Sequence, residues 1–161
     1  MLGLIPGLGR GGTARGVGVQ GVKPVVVGVD GSVASVEALR QARVLAGLMG
    51  CPVQALMAWQ RPETTWEYLP PAGFSFEEDA RTRLADAVAQ ALGDEMASGV
   101  EQVVREGSAA RVLREASRGA RMLVVGNRGH GGLAGLLLGS VSSAVAAHAA
   151  CSVLVVHRPA A

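Results

Sequence analysis

Five short apolar runs, Val25–Val29, Val53–Trp59, Val100–Arg105, Met122–Gly126 and Val153–His157, recur along the chain with helical patterns between them. Their mostly continuous apolar character predicts strands buried on both faces, as parallel strands covered by helices are. Between them, Ser35–Met49 places Val36, Leu39, Ala42, Ala46 and Met49 on one helical face, and Glu77–Met96 does the same with Ala80, Leu84, Val88, Ala91 and Leu92. A shorter pattern starts at Ser108, a suitable N-cap, runs through Val112, Leu113 and Ala116, and stops at Gly119. A last helix is expected from near Ser140, carrying Val141, Ala144, Val145 and His148 inward. The order β-α-β-α-β-α-β-α-β predicts a doubly wound α/β fold. Right-handed crossovers then place ligands beyond the carboxyl ends of the strands, at a switch point.

A chain of 161 residues with an apolar share of 49% suffices for one packed domain. The formal net charge is only +2, the basic residues are scattered, and no aromatic–basic interleaving suggests a nucleic-acid groove. No signal peptide or apolar run of membrane-spanning length is visible, so a cytoplasmic chain without membrane contact is expected. Cys51 and Cys151 lack further partners at metal-ligand spacing and precede predicted strands, where small side chains pack well. The three histidines do not cluster with carboxylates or cysteines, and no G-x-S-x-G elbow exists. Lys23 is the only lysine and no G-x-x-x-x-G-K-[ST] run occurs, which excludes a P-loop phosphate clamp.

Residues 1–22 are glycine-rich, lack acidic residues and show no periodicity, so a flexible segment is expected ahead of a domain at 23–158. Within it Gly7-x-Gly9-x-x-Gly12 matches the dinucleotide fingerprint in letters only, because no strand precedes it and no helical pattern follows.

The strongest chemical signal lies later, where Gly126, Gly129, Gly139 and Ser140 give the spacing G-x2-G-x9-G-S, continuing as Val141-Ser142. A glycine-marked loop entering a helix can aim N–H groups at a phosphate, and the helix N-terminus adds about half a positive charge. The N–H groups of Gly139, Ser140, Val141 and Ser142, with the hydroxyls of Ser140 and Ser142, are the candidate donors. Serine at a helix start alone would mean no more than a cap; the full spacing favours a nucleotide. Arg128 lies between the glycines and either brings a cation to the phosphates or is an exposed loop arginine. His130, in Gly129-His130-Gly131-Gly132, reads as solvent-facing. Asp30 ends the first strand ahead of Gly31-Ser32; its carboxylate can accept from a ribose or adenine, help order a magnesium shell, or cap the following helix.

This arrangement, over residues 23–158, resembles the ATP-binding branch of the universal stress protein family. The resemblance implies a five-stranded parallel sheet of order 3-2-1-4-5 with helices on both faces, of the adenine nucleotide alpha hydrolase-like kind. It implies a cofactor site at Gly28, Asp30, Ala58, Val125, Gly126, Arg128, Gly129, Gly139, Ser140, Val141 and Ser142 for ATP, with Mg2+ carried by the phosphates. Gly126 and Gly129 would leave room for the ribose, and Ala58 would line the adenine with its backbone groups. A regulatory nucleotide-binding protein of stress physiology is implied, with slow or no hydrolysis, since no base to orient water is evident. A homodimer through the last strand, Ser152 to Val156, is implied as well, and an apolar edge strand wants such a partner. The chain departs from the family pattern at Ser108-Ala109-Ala110, Met57 and Arg121.

All five aromatic residues, Trp59, Trp66, Tyr68, Phe74 and Phe76, fall between positions 59 and 76, after the second strand. They suit a lid over the nucleotide, an anchor for a long loop, or a subunit contact.

Overall fold

The structure, a computed structural model, describes residues 21–62, 71–130 and 138–157. Ten elements follow in order: β1 (Val25–Gly28), α1 (Val33–Met49), β2 (Val53–Trp59), α2 (Phe76–Leu92), α3 (Asp94–Ala97), β3 (Val100–Glu106), α4 (Ala109–Ser117), β4 (Met122–Gly126), α5 (Ser140–His148) and β5 (Ser152–Val156). The strands form one parallel sheet of order β3-β2-β1-β4-β5, as expected. Most of the glycine-rich segment, with Gly7-x-Gly9-x-x-Gly12, lies outside the described residues, as do Trp66 and Tyr68.

Alternation along the central strands builds two cores. Val25, Val27, Val53, Ala55, Met57 and Val124 face α1 and α2, where Leu39, Ala42, Leu84 and Val88 meet them. Val26, Leu56, Leu123 and Val125 face the opposite layer, against Val112 and Leu113 of α4 and Val145 of α5. Each fully buried Val or Leu contributes about 1.5–3 kcal/mol, so the continuous apolar runs are what fix β1 and β4 at the centre. The edges differ: β3 exposes Glu101, Gln102, Arg105 and Glu106, and β5 is only half-buried over Val153–Val155. The continuous-run rule therefore holds for the inner strands alone. Cys51 and Cys151 are free thiols, half-buried against the two cores.

Several boundaries differ from those the sequence predicts. The helix expected over Glu77–Met96 breaks at Gly93, whose φ of 76° is open to glycine and leaves α3 as a separate turn. The helix opened by Ser108 ends at Ser117 with Arg118 as its C-cap, so Gly119 is the stop as expected, but Ser108 makes no side-chain cap bond. His148 is exposed: α5 buries Ser142 and Val145, and its last turn runs past the core.

Candidate functional site

The β1, β2 and β4 ends, together with the first turns of α1, α4 and α5, enclose a cavity of about 370 Å³. It lies at the switch point, where β1 connects outward to β2 on one side and neighbours β4 on the other. All eleven residues picked out as cofactor-binding line it: Gly28, Asp30, Ala58, Val125, Gly126, Arg128, Gly129, Gly139, Ser140, Val141 and Ser142.

The start of α5 is fixed by Asn127. Its N–H donates to the Val156 carbonyl at 2.7 Å and its own carbonyl accepts the Gly139 N–H at 2.8 Å, so β4, β5 and the helix start are tied at one residue. The Gly139 N–H is thereby spent, contrary to its expected role as a phosphate donor. The Ser142 hydroxyl is spent too: it donates to the Gly126 carbonyl at 2.6 Å and is buried. What remains open is the first helical turn. The N–H groups of Ser140, Val141 and Ser142 precede the first helical bond, from Ser143 N–H to the Gly139 carbonyl, and meet no acceptor among the described residues.

The glycines divide by cause. A Cβ at Gly126 would lie 2.8 Å from the Ala34 backbone, and one at Gly129 would collide with Asp30 Oδ2. Close packing of the protein on itself therefore accounts for both. Gly139 differs: its φ is −70° and, among the described residues, a Cβ there would meet nothing nearer than 3.6 Å, so no described contact requires glycine at this position.

Asp30 fastens two loops. Its Oδ1 accepts the Ser32 N–H at 2.9 Å and its Oδ2 accepts the His130 N–H at 3.3 Å, while the Ser32 hydroxyl lies 3.4 Å from the Arg128 carbonyl. Burial pushes the carboxyl up, but the hydrogen bonds from Ser32, Ser35 and the His130 N–H together outweigh it and hold Asp30 below the ordinary carboxylate range. It does not cap α1; that role falls to Ser32, whose hydroxyl accepts the Ser35 N–H at 3.2 Å.

At β2, the Leu56 carbonyl accepts the Val29 N–H at 2.9 Å, so the peptide groups of alternate residues, Leu56 and then Ala58, face β1. β1 stops at Gly28, and the Ala58 N–H and C=O meet no backbone partner among the described residues.

Sequence reasoning missed three neighbours with chemical weight. Arg83 reaches the cavity from α2 and donates to the Asp30 carbonyl at 3.2 Å; His130, solvent-exposed as expected, also lines the wall; Ser35 lies beneath Asp30. Arg83 carries no sequence signal, because only the packing of α2 beside β2 brings it there. Asp30 is the only carboxylate among the described lining residues, which also include Arg83 and Arg128. Among the described residues no group of histidines, cysteines and carboxylates is arranged to hold a metal, and no helix is long and apolar enough to cross a membrane.

The chain is similar to known proteins over this whole region. A universal stress protein of Mycolicibacterium smegmatis is 37% identical over 139 residues, covering 83% of this chain and 47% of the relative. The chain thus spans about half the length of the curated relatives it matches. A universal stress protein solved in complex with cAMP is 27% identical, with a TM-score of 0.59 over 85% of this chain and 98% of that one. The protein MJ0577 shares the fold at a TM-score of 0.68, with 21% identity over 86% of this chain and 98% of that one. The model of the universal stress protein family matches residues 21–157, and this makes the chain a member of that family.

Proposed function

We propose that the cavity binds an adenine nucleotide, ATP carrying Mg2+ on its phosphates, and that the protein is a nucleotide-dependent regulatory module with slow or no hydrolysis. The observation that carries this reading is the open first turn of α5: three N–H groups with no acceptor among the described residues line the cavity, at a glycine that no described contact requires. The Arg128 side chain, exposed at the same wall, supplies a cation beside the phosphates. The unpaired N–H and C=O of Ala58 offer a donor and an acceptor to the base, and the similar structure holding cAMP supports adenine as that base.

Little in the site favours rapid turnover. The only carboxylate among its described residues, Asp30, is tied on both oxygens and held below the ordinary range, which makes it a weak base at neutral pH. The β5 edge, apolar and half-buried, carries the pairing of two copies into a homodimer.

Calorimetric titration of the protein with ATP and Mg2+, repeated with Gly139→Val and with GTP, tests the binding. A saturable signal for ATP, lost in a Gly139→Val protein that unfolds like the wild type, is the expected result. Heat of the same size in both proteins would refute a phosphate site at α5. Sustained ADP release dependent on Asp30 or Arg128 would instead make the protein an ATPase.

A further inference from the structure

Helix α2 carries two arginines, Arg81 and Arg83, and only Arg83 lines the nucleotide cavity. Its guanidinium is held at the end of β1, where Nη2 donates to the Asp30 carbonyl at 3.2 Å. Asp79 Oδ2 stands 3.8 Å from Nη1, with both side chains about half exposed, so that pair is a weak surface contact beyond hydrogen-bond distance. A guanidinium presents several N–H donors in a planar fork. Among the described residues Arg83 spends its fork on the Asp30 carbonyl alone, which leaves further donors at the cavity wall. Arg81, by contrast, pairs with Glu77 and takes no part in the wall.

The order of the strands fixes what passes this point. β1 lies between β2, whose Ala58 meets the base in the reading above, and β4, beyond which α5 opens toward the phosphates. A sugar joining that base to those phosphates therefore crosses the end of β1, at Asp30. There each carboxylate oxygen already accepts an N–H, from Ser32 and from His130, whereas the Arg83 fork keeps donors to give.

We propose that Arg83 is a binding residue of the nucleotide site, donating to a ribose hydroxyl oxygen and thereby selecting ribonucleotides over deoxyribonucleotides. The inference rests on the adenine-nucleotide reading and gives Arg83 a part separate from that of Arg128 at the phosphates. Local charge agrees with a neutral ligand group here: Asp30 and Asp79 both lie beside Arg83, and a further anion would be repelled. The rival role is a brace, in which Arg83 only steadies the Asp30 peptide and never touches the ligand.

Calorimetric titration of the full chain with ATP, 2′-deoxy-ATP and 3′-deoxy-ATP separates contact from brace when run on the wild type, Arg83→Ala, Arg83→Gln and Arg81→Ala. The wild type is expected to bind at least one deoxy compound about tenfold more weakly than ATP, as loss of a charge-assisted hydrogen bond at a half-exposed site implies. Arg83→Ala should lose about tenfold on ATP but no more than about twofold on that deoxy compound, because donor and acceptor are then both gone. Arg83→Gln keeps one N–H donor group and should show the same pattern with a smaller loss; it carries the test if the alanine protein does not fold. Arg81→Ala removes the same charge from α2 and should leave all three affinities within about twofold. A wild type that binds ATP and both deoxy compounds alike overturns the ribose contact and spares the ATP site. So does an Arg83→Ala protein weakened equally toward all three, which is the brace, or an Arg81→Ala protein that matches it, which is net charge. A wild type that binds none of the three removes both readings.

Discussion

Removing the Asp30 carboxylate tests whether this residue works mainly by fastening loops. Two N–H groups from different loops, those of Ser32 and His130, end on its two oxygens, and Gly129 has no Cβ because Oδ2 occupies that space. A hydrogen bond to a charged acceptor contributes about 1.5–3 kcal/mol when buried, and partial solvent access brings this to about 1 kcal/mol each. Asp30→Ala should therefore cost about 2 kcal/mol, or about 4–8 °C in Tm for a chain of this length. Asp30→Asn can keep one bond through its carbonyl but turns an NH2 donor on the other N–H, so about 1 kcal/mol is expected. Urea unfolding gives the stabilities, and ATP titration of the same proteins gives the binding. Loosening of Arg128–His130 should weaken ATP about tenfold in Asp30→Ala, with Asp30→Asn between it and the wild type. An Asp30→Ala protein within about 0.5 kcal/mol of wild-type stability refutes the clasp. If such a protein nonetheless lost ATP, Asp30 would be a ligand contact only.

The pH dependence follows from the same group. Because the Asp30 pKa is lowered in the fold, its stabilisation is complete above the unfolded value of 3.8 and is lost as pH falls through the lower folded value. Acid unfolding of Asp30→Asn should accordingly show a smaller loss of stability below pH ~4 than the wild type. Gly126→Ala should destabilise by about 1–3 kcal/mol in urea unfolding, since its methyl meets the Ala34 backbone at 2.8 Å and no flexible tip can yield. Ser117→Ala should cost a similar amount, about 1–3 kcal/mol, because the buried hydroxyl bonds the Arg114 carbonyl at 2.7 Å and accepts the Ala150 N–H at 2.8 Å. The Val156 carbonyl faces β4, so Val155 turns its N–H outward; Val155→Pro should convert the proposed dimer to monomer by light scattering while leaving unfolding little changed.

The succession of elements was legible in the residues because hydrophobic period and run length are local properties. Continuous apolar runs such as Val25–Val27 and Leu123–Val125, helical stripes such as Ala80–Leu84–Val88, and turn residues between them determine strand, helix and loop without knowledge of neighbours. The spacing from Gly126 to Ser142 marked the wall of the cavity for the same reason: a loop of set length between a strand and a helix is written along the chain. The sheet order came from resemblance and was fixed by the fold.

What each group does there was decided only when distant segments met. Whether the Gly139 N–H and the Ser142 hydroxyl stay free depends on carbonyls of Asn127 and Gly126, up to 16 positions away. The duty of Asp30 depends on His130, 100 positions on, and Arg83 enters the site solely through helix packing. Hydrogen bonds and close contacts are settled to tenths of an ångström between residues remote in sequence, and no local pattern encodes that.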